Sequence, residues 1–291
     1  MLRSMYSGIS GLRNFQTKLD VIGNNISNVN TYGFKKGRTI FKDLISQTVA
    51  GASEATDTRG GVNPKQIGLG SQIAAIDTLH TAGSTQFTGN TLDLAISGDG
   101  FFQVADGVRT GTNNELTGFS NVLYTRAGNF YMDQDGYLVN SDGKYLVGYA
   151  AEISGGNYAI PTTNPKEKPI LIPITAQSMS IGQDGMVTFV DDKGELQTAG
   201  QLLLAKFSNP GGLTKNGGNY FEASPNSGNP TVNSATTSGL GSINSGFLEM
   251  SNVDLAEEFT EMIVAQRGFQ ANTRIITTSD EILQELVNLK R

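Results

Sequence analysis

"SNVDLAEEFTEMIVAQRGFQANTRIITTSDEILQELVNLKR", Ser251 to Arg291, closes the chain and decides its fold. Leu255, Met262, Phe269, Ile276 and Leu283 recur every seven residues, with Phe259 and Val287 on an alternate column, which is the pattern of a heptad seam. Asp254 followed three residues later by Glu257 has the form of a capping box, so a long helix is predicted to begin there. The middle of the alternate column is polar, with Gln266, Thr273 and Asp280. Such a seam is too weak to stand as an isolated dimer, and the helix needs further partners.

The other end answers it. Leu2, Met5, Ile9, Leu12, Leu19, Ile22, Ile26 and Val29 follow three-and-four spacing and predict a helix over about 3–29. At 1.5 Å per residue the two helices would be roughly 40 and 55 Å long, more than a small domain can bury. Residues 1–50 carry seven Lys/Arg against two Asp/Glu, and residues 251–291 carry four against seven, so the ends attract each other. They are predicted to form one coiled-coil unit. Packing of each helix on its own domain is the commoner fate of an amphipathic stripe, but "LDVIGNNISNVNTYGFKK", Leu19 to Lys36, argues against it. Asn24 and Asn28 fall opposite the Leu19, Ile22, Ile26 stripe and Asn25 on its flank, where a solvated face would favour Lys and Glu. Neutral amides that donate and accept suit contact with a second protein surface. The expected assembly interface is therefore Leu12, Leu19, Ile22, Asn24, Asn25, Ile26 and Asn28 on the first helix. On the second it is Leu255, Phe259, Met262, Gln266, Phe269, Thr273, Ile276 and Leu283.

Between the ends the periodicity shortens. "LDLAISGDGFFQV", "FYMDQDGYLVNSDGKYLVGY", "SMSIGQDGMVTFV" and "QLLLAKF" read as short strands, with Asp135-Gly136, Asp142-Gly143, Asp184-Gly185 and Asp191 to Gly194 as turns. The Asp135-Gly136 hairpin with Gly143 and Gly148 resembles the Asp184-Gly185 one with Gly194 and Gly200. The fold class is thus α+β, with terminal helices forming a coiled-coil unit and a mainly antiparallel β body inserted between them. The boundaries read as 1–30 for the first helix, 31–75 for a connector, 76–250 for the β-rich domain and 251–291 for the last helix. Surface loops are expected at 105–121 and 154–169, and a hinge-like stretch at Gly51 to Ser71.

Of 291 residues 36 are glycine and only 16% are charged, which suits turns and short strands. A net charge of −6 with no lysine run excludes a binder of nucleic acid or of anionic membrane. Without cysteine there are no disulfides, zinc thiolates or thiol nucleophiles. "MLRSMYSGISGLRNF" holds no continuous apolar core, so neither a cleaved signal peptide nor a membrane anchor is expected. His80, the sole histidine, has no ligand set beside it and is expected on the surface or in a strand. "DQDG" at Asp133 to Gly136 puts Tyr131 where a calcium loop needs its first Asp, so a hairpin turn explains it. No G-x-S-x-G elbow, phosphate-binding Gly-Lys loop or H-E-x-x-H helix occurs. Catalytic, cofactor and metal sites are all expected to be absent.

"SGISGLRNFQTKLDVIGNNISNVNTYGFKK" resembles the N-terminal signature of bacterial flagellar rod and hook proteins, and Ser251 to Arg291 resembles their C-terminal signature. "TLDLAISGDGFFQV" and "YTRAGNFYMDQDGYLV" resemble segments of the hook and distal-rod branch, so the likeness spans most of the chain. It implies a non-enzymatic axial subunit that polymerises with itself through its terminal helices and is exported through the flagellar type III apparatus. Adjacent rod, hook and hook-filament junction proteins and the hook cap would be its neighbours, in the hook or basal body outside the cell. "GYLVNSDGKYLVGYA" and the short body favour a hook subunit, a flexible joint between motor and filament; the Gly51 to Ser71 stretch resembles an insertion of the distal-rod branch, the drive shaft. A secreted carbohydrate-binding or hydrolytic β protein with helical arms, or a phage-tail-like tube component, would be the readings without the resemblance.

Overall fold

In a computed structural model the described residues are 2–109, 116–154, 157–161 and 166–289. The chain is α+β, with helix α1 at Leu2–Ser27, helix α2 at Leu255–Asn288 and antiparallel strands between them. It divides into two compact units. One comprises residues 1–28, 36–79 and 253–291, and the other residues 29–35 and 80–252.

In the first unit the helices pack antiparallel. Gly8 faces Ile276, Gly11 faces Asn272, Gly268 faces the Phe15 ring, Lys18 pairs with Glu261, and Asn25 reaches Glu258. Numbers rise on one helix as they fall on the other. The stretch expected as a connector is a β-hairpin: Gly37–Asp43 pairs with Ser71–Thr78 and Ser46–Ala50 with Lys65–Gly68. Isolated bridges Ser53↔Val62 and Thr56↔Arg59 carry the same register to a two-residue tip at Asp57 and Thr58. Its base lies on α1, where Asn25 exchanges hydrogen bonds with Gly37 and Asn14 donates to Ser71. Its outer strands, Ser46–Ala50 and Lys65–Gly68, are exposed at every residue. Alternation is a signal only where one face is buried; here neither face is, and Gly51 to Ser71 reads as loop although much of it is ladder.

The second unit is built on a twelve-stranded antiparallel sheet with the long strand Leu196–Lys206 near its middle, paired with Met186–Val190, Tyr145–Ala150, Thr231–Ser234 and Phe101–Arg109. The four turns read from sequence share one geometry. Asp133, Asn140, Gly182 and Asp191 each donate from their amide to the carbonyl four residues on, and accept from the glycine three on. Those glycines, Gly136, Gly143, Gly185 and Gly194, all have positive φ, which a side chain disfavours. Two meanders therefore repeat, over residues 130–150 and 178–206, and pair through their last strands. There Gly148 and Gly200 leave no room for a Cβ against the Gln201 and Tyr149 carbonyls. Leu94, Phe102, Val104, Leu138, Leu146, Ile170, Leu202 and Leu204 fill the core.

The two stretches expected as loops are partly strand. Phe101–Arg109 pairs with Leu116–Thr125, so 105–121 is largely a hairpin, with 110–115 outside the described residues. Glu152–Ser154 pairs with Asn157–Ala159, and Glu167–Pro169 joins the main sheet; residues 155–156 and 162–165 lie outside the described residues. Their turn-rich composition masked pairings that cross-strand neighbours supply.

Candidate functional site

The Asp254 carboxylate caps α2, accepting from the amides of Ala256 at 2.8 Å and Glu257 at 3.3 Å. Glu257 reaches Lys36 at 2.7 Å, and Lys18 pairs with Glu261. These pairs border a cavity of about 330 Å³ lined by α1, the hairpin base and the first turns of α2. Asn25 is buried within it: its amide donates to the Gly37 carbonyl at 2.9 Å and to Glu258 at 3.1 Å, and its oxygen accepts from Gly37 N–H. Buried amides stay only when so satisfied. One of the three asparagines expected to face a neighbour is thus an internal joint, whereas Asn24 is exposed and Asn28 donates to the Asn24 carbonyl.

Of the column expected as a seam, Met262, Ile276 and Leu283 are half-buried on the side of α2 that meets α1 while Leu255 and Phe269 stay open, and a second column, Glu258, Ala265, Asn272 and Ser279, runs beside it. Ala265 is fully buried, and Glu258 and Ser279 nearly so. Small residues on both helices let them close: a Cβ on Gly268 would lie 2.5 Å from the Phe15 ring, and one on Gly11 2.8 Å from the Asn272 amide. The column Phe259, Gln266, Thr273 and Val287 lies outside this seam and is exposed, with Phe259 at 50%. Leu255 and part of Phe269 are open too. On α1, Ile22 is buried and Leu12, Leu19 and Ile26 are half-buried, as Met262, Ile276 and Leu283 are on α2.

Two flanks of α2 therefore carry unpartnered apolar side chains. Phe259, Ile263 and Val287 follow one side of the seam and Val264 and Ile282 the other, while Ile275 lies beside Gly8 of α1 and Leu286 continues the Glu258 to Ser279 column. A helix whose apolar surface extends to both sides of its one partner is built for more than one neighbour. The arrangement can bury and hold. Among the described residues no group of three or more His, Cys, Asp or Glu could hold a metal ion, and no helix is long and apolar enough to cross a membrane.

Sequence reasoning missed a charge cluster inside the second unit. The Lys35 ammonium, 1% exposed, donates to Glu249 at 2.6 Å and to the Thr81 carbonyl at 2.8 Å. The other Glu249 oxygen accepts from Arg126 at 3.2 Å, and Gly83 N–H donates to the first. Burial holds the Lys35 ammonium below its ordinary value, with Glu249 opposing and Arg126 adding to the shift. His80 is neither on the surface nor in a strand. It is half-buried against the Phe101 and Phe221 rings, and its pKa falls to about 4, first through burial and then through the cations Lys35, Arg126 and Lys215. Charged residues set in glycine-rich, apolar runs, "YGFKK", "YTRAGNF" and "GFLEM", were the available signal.

Three family profiles match the chain. Residues 5–35 match the flagella basal body rod protein, residues 95–189 the D1 domain of the flagellar hook proteins FlgE/F/G, and residues 244–289 the C-terminal region of the flagellar basal body rod proteins FlgEFG. Each segment contributes one member of the buried cluster: Lys35, Arg126 and Glu249. A helical unit with apolar flanks and a separate antiparallel β unit, matched in these three segments, fit an axial structural protein of the flagellum. The chain is 56% identical over 292 residues to the flagellar basal-body rod protein FlgG of Bacillus subtilis, with the whole of both covered. It is 37% identical to the FlgG of Agrobacterium fabrum over 97% of each, and 32% identical to the flagellar hook protein FlgE of Borreliella burgdorferi over 453 aligned residues. The chain belongs to the flagellar rod and hook protein family, whose members are structural parts of the basal body and hook and leave through the flagellar export apparatus.

Proposed function

We propose that the chain is the distal-rod subunit, a stiff section of the drive shaft, rather than the hook subunit that the short β body suggested. The observation that carries this reading is the end-to-end match to a rod protein at 56% identity with no length left over on either side. The hook relatives align over 453 and 476 residues, which a 291-residue chain spans only across long gaps, so they hold segments this chain lacks.

Two features fit a shaft. The flanks of α2 offer each subunit at least two helical neighbours, so lateral and axial contacts can be made by one element. The hairpin adds an exposed arm with Ile45, Val49, Val62 and Ile67 open to solvent, and a two-stranded ribbon with uncovered apolar residues is marginal alone. Covered by neighbours, it would lock their spacing. The subunit's partners on this reading are other copies of itself and the rod and hook proteins at either end. Electron microscopy of flagellar structures from a strain lacking the gene tests it: truncated rods support the distal rod, complete rods without hooks restore the hook reading, and intact hook-basal bodies overturn both.

A further inference from the structure

Behind the charge cluster, within the second unit, lies a cavity of about 60 Å³ lined by His80, Asp99, Gly100, Phe101, Arg126, Lys206, Phe207 and Pro210. That is several times the roughly 10–15 Å³ one ordered water requires. Arg126 is 5% exposed and spends its two terminal nitrogens on Glu249 and on the Ile96 and Gly98 carbonyls, yet its Nε–H has no hydrogen-bond partner among the described residues. A buried guanidinium donor left open is costly, because its hydration has been removed without replacement. Lys206 donates to the Gly239 carbonyl at 3.0 Å and lies 3.4 Å from Asp99, a carboxylate three-quarters exposed and screened by water. Lys35 and Arg126 share the single buried carboxylate of Glu249. In a chain of net charge −6, this corner of the fold therefore holds more cation than anion.

We propose that this cavity binds a small monovalent anion of halide size, held by Arg126 Nε–H and the Lys206 ammonium. His80 constrains the arrangement. It bonds the Pro210 carbonyl through one ring nitrogen, and its Nδ1 has no partner among the described residues. A neutral imidazole nitrogen of that kind accepts, so it cannot itself face the anion. The volume leaves room for one water that donates to Nδ1 with one hydrogen and to the anion with the other. Anion, water, Arg126 and His80 are then all satisfied, and the neutral His80 is retained. An ion bound only by the folded chain stabilises it by mass action.

Chloride is the probe, with the full-length chain. Its ³⁵Cl resonance is expected to broaden in the presence of the protein and to sharpen on addition of bromide. The broadening is expected to be lost in Lys206→Gln and kept in Lys206→Arg, and the melting temperature should rise with chloride at constant ionic strength in the same two proteins that broaden it. Equal broadening by the wild type and Lys206→Gln, or none by either, overturns the site and leaves the cavity to water. A melting temperature raised by formate and not by chloride overturns the halide assignment in favour of a carboxylate. Should Lys206→Gln fail to fold by circular dichroism, Lys206→Met takes its place, and broadening by it equal to the wild type overturns the site.

Discussion

At the scale of single residues, the strongest constraint is the carboxylate shared by two buried cations. Glu249→Gln keeps the shape and one acceptor but leaves Lys35 and Arg126 facing each other without a counter-charge. Breaking a buried pair in this way costs about 3–5 kcal/mol, so the urea midpoint of the monomer should fall sharply. Lys35→Met removes one cation and leaves Arg126 paired, and should cost less. His80 sets a pH dependence of known sign. Its folded-state pKa of about 4 lies below the ordinary 6.5, so between those values the unfolded chain binds a proton that the folded one refuses. Stability is therefore full above 6.5 and declines as the pH falls towards 4. Urea midpoints at pH 7 and 4.5 for wild type and His80→Gln should show the smaller acid loss in the variant, the carboxylates titrating alike in both. Of this only the charged residues set in glycine-rich, apolar runs were legible in sequence; the lone histidine lacked ligand partners, which argued against a metal site and hid its half-burial among rings and cations that come from distant segments.

At the scale of elements, the helices show how far a heptad can be read. The column Met262, Phe269, Ile276 and Leu283 was visible because it is apolar. The neighbouring column was not, because Glu258, Ala265, Asn272 and Ser279 are small or polar and acquire their meaning only against α1, as Asn272 does against Gly8 and Gly11 and Glu258 against Asn25. Close approach, more than greasiness, defines the seam. Gly268→Ala tests that: the added methyl falls 2.5 Å from the Phe15 ring, and overpacking of this kind costs about 1–3 kcal/mol. Alanine's better helix propensity, about 1 kcal/mol, works against that cost, so a loss seen in thermal unfolding by helical circular dichroism reports the clash, and Phe15→Leu in the same chain should turn it into a gain. Turns were the most legible elements, since an Asp or Asn with a glycine at positive φ has a local physical cause. The hairpin at Gly37–Thr78 was the least, since its outer strands are exposed at every residue and leave no alternation to read there.

At the scale of the whole molecule, what the chain leaves uncovered matters more than what it buries. A monomer designed to remain one would not set Phe259, Ile263, Val264, Ile275, Ile282 and Leu286 in water on one helix. The sequence pointed to this through a partial argument: a seam too polar to stand alone needs further partners. The residues it assigned to that polar column, Phe259, Gln266 and Thr273, do lie exposed beside the intramolecular seam. Replacing Phe259 and Ile263 together by Asp therefore separates assembly from folding. Neither side chain lies in the intramolecular seam, so the monomer should lose no more than about 0.5 kcal/mol per site, the ordinary range for exposed positions away from caps and buried networks. The polymer should be lost outright, because each interface would bury unpaired carboxylates at every repeat. Sedimentation velocity reads the first state as an unchanged monomer, and electron microscopy reads the second as the absence of the polymer. A normal polymer from the double variant would mean that this flank faces solvent in the assembly and that the contacts run through the Val264 and Ile282 side instead. A monomer melting well below the wild type would mean that the flank supports the fold itself.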